Sequence, residues 1–184
     1  MTEGGISRRE YSLGMLAGGC FALGCPGCLS GGRGLRYACK GELHRDFHAS
    51  ILDGVNYLLD NYGEDAAREV LSVTAREVYR TMREKLSRGD GSELVEWWRY
   101  YLEREGGVYR LEEGSDGSAV LSVDGCPALA HLEKRGISGG RRVCWATRVL
   151  NEALAAESPF ELVLEETDGG CRQRLSRKTD GGAV

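Results

Sequence analysis

The order of apolar patterns along the chain predicts an α+β fold with an antiparallel sheet. Apolar residues recur every three or four positions over most of residues 41–105, which is the period of amphipathic helices. Beyond residue 107 the pattern changes to two pairs of short alternating segments, each pair joined by a glycine-containing turn. Further helical segments separate the two pairs, and this order favours one sheet covered on one face by helices.

The N-terminal part of this fold is predicted to be a helical hairpin followed by a third helix. The hairpin is expected to contain helices at residues 41–62 and 64–86, with Gly63 as the short turn between them. The third helix is expected to have Ser92 as its N-cap and to end before Gly106.

The sheet is predicted to consist of two hairpins. The expected elements beyond residue 107 are strands at 108–113 and 118–124, helices at 127–135 and 142–156, and strands at 160–167 and 171–177. No repeat or linker divides residues 41–177, so the sequence predicts a single domain. A leader is expected at residues 1–30 and a disordered tail at 178–184.

The leader resembles a bacterial twin-arginine export signal. The segment Ser-Arg-Arg-Glu-Tyr at residues 7–11 precedes a short, uncharged, glycine-rich apolar run. The signal predicts export by the twin-arginine machinery to the periplasm or the outer face of the cytoplasmic membrane. Ala-Leu-Gly-Cys at residues 22–25 is similar to a lipoprotein cleavage box and makes Cys25 the candidate lipidation site. An uncleaved leader acting as the membrane anchor is the alternative.

Composition argues against two classes of protein. The 184 residues carry a formal net charge of −4, and basic residues are interleaved with acidic ones, so we expect no nucleic-acid partner. The middle of the chain is rich in leucine, valine and aromatic residues, which is not typical of a disordered protein. The expected partners are a small-molecule substrate or ligand, the export machinery, and a membrane reached through the leader or a lipid.

Three cysteines of the body are candidates for chemistry. Cys126 precedes Pro127 at a predicted helix start, where free N–H groups and the helix dipole stabilise a thiolate. It is therefore the candidate nucleophile, or a metal ligand together with Cys144 and Cys171 if helix packing brings the sulfurs together. Three thiolates suit zinc or iron. The alternative is that all three are small buried residues.

The three histidines complete the set of candidate site residues. His44 and His48 are four residues apart and share one helix face, which suits two metal ligands or a proton-transfer pair. His44 is the candidate metal ligand and His48 the candidate proton-transfer residue. A solvated helix face is the alternative. His131 follows Cys126 by about one helical turn and is the candidate to activate its thiol.

One further pattern concerns aromatic residues. Trp97, Trp98, Tyr100 and Tyr101 occupy both sides of the third predicted helix. One side is expected in the core, and the other is expected to line a pocket or a subunit contact.

Several features of the body occur together in one known family. They are Tyr62-Gly63-Glu64 at a helix end, Cys126-Pro127, a helical Cys144 and a last strand beginning Gly169-Gly170-Cys171-Arg172. Over roughly residues 41–177 the chain thereby resembles the L-2-amino-thiazoline-4-carboxylic acid hydrolase family. The resemblance implies hydrolysis of a cyclic C–N bond, in which water adds to the ring carbon between nitrogen and sulfur and opens the ring to a carbamoyl-cysteine.

The cysteine layout also resembles a second class of domain. Small-molecule-binding domains of the 4-vinyl-reductase type have a similar α+β pocket with cysteines, which implies a non-catalytic small-molecule or metal-binding module. A redox carrier that uses the same three sulfurs is a third possibility.

Overall fold

The computed structural model describes residues 47–178 and the backbone of two short paired strands, β1 (Ala38–Cys39) and β2 (Glu42–Leu43). The arginine pair, Cys25, His44 and residues 179–184 lie outside the described residues. The helices are α1 (Phe47–Glu77), α2 (Arg80–Ser87), α3 (Ser92–Glu105), α4 (Pro127–Lys134) and α5 (Arg141–Ala155). The remaining strands are β3 (Val108–Glu113), β4 (Ala119–Gly125), β5 (Phe160–Glu166) and β6 (Cys171–Arg177).

The main sheet confirms the predicted α+β class. It has four antiparallel strands in the order β3-β4-β6-β5, so the two predicted hairpins form and join through β4 and β6. Helices α4 and α5 connect β4 to the edge strand β5, and the chain then returns to the middle of the sheet in β6. As a result, the beginning of β6 lies beside the end of β4, where α4 begins.

One face of this sheet packs against helices. Alternate residues of the three longest strands are buried, namely Ala119, Leu121, Val123, Phe160, Leu162, Leu164, Gln173 and Leu175. Most of them share a core cluster with helix residues such as Leu86, Trp98 and Leu154. The intervening residues of the same strands are exposed or half-buried. Helices therefore cover one face, as the sequence predicts, and this burial is the main force that holds the fold together.

The predicted helical hairpin becomes a kinked helix in the structure. Gly63 interrupts α1 with a φ of 83° and a ψ of 176°, at the position where the sequence predicts a turn. The two halves nevertheless follow α5 in one direction, because Asp60 contacts Arg142 near the start of α5 and Arg68 contacts Glu152 near its end. One residue with positive φ bends the axis, whereas a reversal needs a loop of about two to five residues.

Several boundaries also differ from the sequence prediction. Ser92 is the first residue of α3 rather than its N-cap; the N-cap is Gly91, and the Asp90 carboxylate accepts the N–H of Ser92 at 2.9 Å. Lys178, the first residue of the predicted tail, donates its backbone N–H to the Pro159 carbonyl at 2.8 Å. Among the described helices, none is long and apolar enough to span a membrane.

Candidate functional site

Cys126 lies where the sequence predicts it, at the N-cap of α4. Its φ of −76° and ψ of 118° are extended, and Pro127 supplies the first helical position. The backbone N–H of Cys126 donates to the Gly169 carbonyl at 3.0 Å, which ties the start of α4 to the turn between β5 and β6. The half-buried thiol makes no hydrogen bond to the first turn of the helix.

Cys171 begins β6 next to this corner, paired with Val123 of β4. The pKa of the Cys171 thiol is raised to about 11, mainly by burial; the Gln173 amide and Arg141 lower it, and the neighbouring Cys126 and Cys144 contribute to the rise. That amide donates to the Cys171 sulfur at 3.7 Å. Cys171 is therefore a protonated thiol at neutral pH.

Cys144 is buried on α5 and belongs to the same neighbourhood. Burial is the main cause that raises the pKa of its thiol, followed by the charges of Glu166 and Cys126, and Arg141 opposes the shift. The three thiols are thus close enough to influence one another electrostatically, and the predicted site formed by all three stays a prediction. The raised pKa values of Cys144 and Cys171 keep these two thiols protonated at neutral pH, which does not suit a resting nucleophile.

The thiols do not by themselves form a coordination site. Over residues 47–178, no three His, Cys, Asp or Glu side chains are grouped so that they would hold a metal ion. One thiol can influence the pKa of another over a distance longer than a metal–ligand bond. The three sulfurs therefore lie in one region of the fold but are not arranged as the ligands of one metal ion. Because His44 lies outside the described residues, the zinc or iron expected from the sequence stays a prediction.

A second group of polar side chains surrounds His48 in the first turn of α1. His48 Nε2 lies 2.6 Å from Glu105 Oε2, and these side chains are only 9% and 7% exposed. A carboxylate only accepts hydrogen bonds, so Nε2 carries the proton of this bond. The Tyr101 hydroxyl lies 3.3 Å from Nδ1 and 3.4 Å from Nε2. The hydroxyl is thus almost equidistant from the two nitrogens and lies beside the ring edge between them, with Nδ1 as the nitrogen that Glu105 leaves unengaged.

His131 faces the same group from α4. Its ring centroid lies 6.1 Å from that of His48, with an angle of 55° between the rings. Leu132, the next residue, packs against Leu52 of α1 and fixes the two helices side by side. We call His48, Tyr101, Glu105 and His131 the His48 cluster. The structure thus brings together two of the predicted catalytic histidines, and α4 links them to Cys126.

The sequence does not predict Glu105 as a site residue, and it predicts Tyr101 only as a member of an aromatic run on both sides of α3. Tyr101 and Glu105 are four residues apart in the last turns of α3, so they share one face of that helix. Glu105 is the last residue of α3, where the helix dipole disfavours a carboxylate. The exposed Glu103 lies in the same turn, so an acidic residue at that position does not by itself indicate a specific partner.

A buried pair of amides lies near the thiols, at positions that no sequence pattern predicts. Asn151 of α5 donates to the Gln173 side-chain carbonyl at 2.8 Å, and both residues are buried. The Gln173 amide in turn reaches the Cys171 sulfur, so a polar chain runs from α5 through the core to the thiol region.

A surface groove of about 310 Å³ lies elsewhere, between α5 and β5. It contains none of the predicted site residues, and the guanidinium of Arg148 at its rim is already bonded to Glu166. The groove therefore adds nothing to the candidate chemistry.

Comparison of the chain with family models, with curated proteins and with solved structures found no match. The case for a function consequently depends on the residues of the His48 cluster and of the thiol region.

Proposed function

We propose that this chain is an exported hydrolase of small molecules, with the ring-opening activity of the thiazoline-carboxylate hydrolases that its sequence resembles. The observation that carries the proposal is the buried hydrogen bond between His48 and Glu105, with the Tyr101 hydroxyl 3.3 Å from Nδ1 and 3.4 Å from Nε2. A carboxylate that fixes the orientation of a histidine is part of the arrangement of a general base.

The His48 cluster would activate water in a defined order. Glu105 holds the Nε2 proton and leaves Nδ1 as the basic nitrogen. As water adds to the ring carbon, its proton passes to the Tyr101 oxygen while Tyr101 gives its own proton to Nδ1. Glu105 stabilises the imidazolium that forms. The ring C–N bond then breaks, and the proton returns along the same route to the ring nitrogen that leaves. His131 stands beside His48 as a second proton-transfer group.

Cys126 remains the candidate nucleophile of the sequence interpretation. Its place at the start of α4 offers a thiolate the positive end of the helix dipole. Cys144 and Cys171, whose pKa values burial raises, would support this corner as neutral thiols. There are thus two catalytic alternatives: attack by the Cys126 thiol, or attack by water that the His48 cluster activates. Single substitutions at Cys126 and at His48 distinguish them.

The test is turnover of L-2-amino-thiazoline-4-carboxylate, with the carbamoyl-cysteine product measured by mass spectrometry. We expect the full chain to form product, and His48→Asn to lower kcat by about 100-fold or more. Cys126→Ser retains activity if water attacks directly and loses it if the thiol attacks. Absence of product with the unmodified protein would contradict the proposal.

A non-catalytic binding module of the 4-vinyl-reductase type is the second candidate. It is favoured by the raised pKa values of Cys144 and Cys171, because a neutral thiol suits a ligand pocket better than a nucleophilic site. Zinc or iron bound by Cys126, Cys144, Cys171 and His44 is the metal version of this candidate. Elemental analysis of protein purified without oxygen tests it: metal at one equivalent per chain, lost in Cys126→Ser, supports the metal version, and metal-free protein contradicts it.

Export is part of the proposal and has its own test. The arginine pair at residues 8 and 9 would direct the folded protein to the twin-arginine machinery. Arg8→Lys together with Arg9→Lys should leave the protein in the cytoplasm of its host, as measured by cell fractionation. A double variant that still reaches the membrane exterior would contradict twin-arginine export.

A further inference from the structure

Strand β5 is an edge of the main sheet, and the middle of this strand has unpaired backbone groups. Among the described strands, only β6 pairs with it. Thr167 and Gly170 exchange two backbone hydrogen bonds, of 3.1 and 3.4 Å, and the register of the two strands continues from there without a shift. Since bonded pairs alternate along antiparallel strands, the odd-numbered residues of β5 bond to β6. The N–H and C=O groups of Leu162 therefore point away from β6.

Other groups of the fold already occupy both ends of this edge. The Phe160 N–H donates to the Ser158 hydroxyl at 3.1 Å, and the Leu164 carbonyl accepts a hydrogen bond from Arg148 Nε at 3.4 Å. Side chains that occupy an edge in this way limit uncontrolled strand pairing. Among the described residues, the outward groups of Leu162 have no such partner, so the middle of β5 is left open.

The groove of about 310 Å³ between α5 and β5 runs beside this open edge. It is lined by all of residues 160–164 of β5 and by one face of α5. The wall on the α5 side contains Ala155 and Ala156, whose small side chains leave the space open. A groove between a sheet edge and a helix accommodates an extended peptide, which pairs its backbone with the strand and places alternate side chains against the helix.

The charges next to the open edge are acidic. Glu161 and Glu165 lie on the outer face of β5, both are exposed, and among the residues that the structure describes neither forms an ion pair. Arg172 of β6 is opposite Glu165, whereas Glu161 is opposite the uncharged Ser176. A second copy of β5 would bring more acidic side chains to this edge, and a basic segment would neutralise those already there. Charge therefore favours a basic partner over self-association.

We propose that the groove between α5 and β5 binds an extended basic segment of another protein, which adds a fifth strand to the four-stranded sheet. This interaction goes beyond the proposed hydrolase and does not depend on it. The residue of the segment opposite Leu162 exchanges two backbone hydrogen bonds with it, and its apolar side chain faces α5. The side chains on either side of that residue lie on the outer face, where basic groups meet Glu161 and Glu165. The backbone bonds supply affinity, and the alternation of apolar and basic residues supplies specificity.

The probe is the peptide Thr-Lys-Leu-Thr-Leu-Lys-Thr with blocked ends, designed to run antiparallel to β5. Its second leucine then lies opposite Leu162, and its lysines lie opposite Glu161 and Glu165. One control peptide has glutamates in place of both lysines. The other has an N-methyl group on the second leucine, which removes the N–H that would donate to the Leu162 carbonyl. Binding to the full chain is measured by calorimetry, and amide hydrogen exchange is followed by NMR.

Three variants of the full chain test the groove and its charge. Glu161→Lys reverses the charge beside the open edge. Glu112→Lys is the matched control, because Glu112 is an exposed residue on the same face of the opposite edge strand, β3. Ala156→Trp fills the groove from the α5 side. All three side chains are exposed, so the substitutions leave the core unchanged.

We expect the lysine peptide to bind, and Glu161→Lys to weaken its binding by about 3- to 10-fold, while Glu112→Lys changes it by less than about 2-fold. The N-methyl group should weaken binding by about 10-fold or more because it removes a backbone hydrogen bond, and Ala156→Trp should do the same by occupying the space. Bound peptide should slow exchange of the Leu162 amide. The Val163 amide already bonds to β6 and should change little.

The opposite results overturn the inference. They are absence of binding at about 1 mM lysine peptide, equal binding of the lysine and glutamate peptides, or equal binding of the N-methyl peptide, which would mean attachment by charge without strand pairing. A dimer in sedimentation that Ala156→Trp dissociates would place a second copy in the groove and would also overturn the basic partner. None of these outcomes depends on turnover of the thiazoline, so the hydrolase is tested separately.

Discussion

Alkaline pH should destabilise this protein through the Cys171 thiol. Burial raises the pKa of Cys171 from its ordinary value of 9.0 to about 11. The folded protein therefore holds this proton more tightly than the unfolded chain does. For a group with a raised pKa in the folded state, the stabilisation is complete below the unfolded value and is lost as the pH rises through the folded value. The loss is thus expected between pH 9 and pH 11.

The size of the effect follows from the two pKa values. At about pH 11 the thiol is roughly half ionised in the folded state and about 99% ionised in the unfolded chain. The linkage relation then gives a loss of about 2 kcal/mol in the free energy of unfolding relative to about pH 8.

The assay is urea unfolding at about pH 8 and about pH 11, in reducing buffer, for the unmodified protein and Cys171→Ser. Serine does not ionise in this range, whereas Tyr79 and Cys144, whose pKa values burial also raises, titrate in both proteins. We expect the unmodified protein to lose about 2 kcal/mol more than the variant. Equal losses would mean that Cys171 ionises like a thiol of the unfolded chain, and would refute the burial of this group.

Three further predictions concern the packing that positions the site. Asn151→Leu should lower the free energy of unfolding by about 1–3 kcal/mol in urea titration, because it leaves the buried Gln173 carbonyl without a donor, and equal stability would argue against that hydrogen bond. Phe160→Ala, at a fully buried position, should cost about 3–5 kcal/mol by the same method; a loss below 1 kcal/mol would mean that the ring is not in the core. Gly170→Ala places a Cβ against a β4 carbonyl and should lower the melting temperature. Gly54→Ala places a Cβ in open space and should raise the melting temperature, because alanine stabilises α1 by about 0.5–1 kcal/mol relative to glycine. A higher melting temperature for Gly170→Ala than for Gly54→Ala would contradict both placements.

The sequence predicts the elements of this fold better than their spatial relations. The alternation of apolar and polar residues predicts the strands of both hairpins. This pattern is visible within each strand, because successive side chains point to opposite faces and only one face of the sheet is buried. Gly63 was identified as a break, but the direction of the chain after it depends on contacts with α5, for example Asp60 with Arg142, 82 residues away. No local pattern contains that information.

The same limit applies to the candidate site. Cys126 at the start of α4 was predictable, since Pro127 at the first helical position follows a local rule. The partnership of His48 with Glu105 spans 57 residues, and it forms only when α1 and α3 pack together. Gln173 is buried for a similar reason, because Asn151 of the packed helix α5 provides its hydrogen bond.

The central claim is that Glu105 orients His48 as a general base, and turnover by Glu105→Gln tests it most directly. The control is Glu103→Gln, which removes an exposed carboxylate from the same turn of α3, where it accepts a hydrogen bond from the Tyr109 hydroxyl. With L-2-amino-thiazoline-4-carboxylate, we predict that Glu105→Gln lowers kcat by about 100-fold or more, while Glu103→Gln stays close to the unmodified protein. A Glu105→Gln variant that forms carbamoyl-cysteine as fast as the control, or an unmodified protein that forms none, would contradict the account.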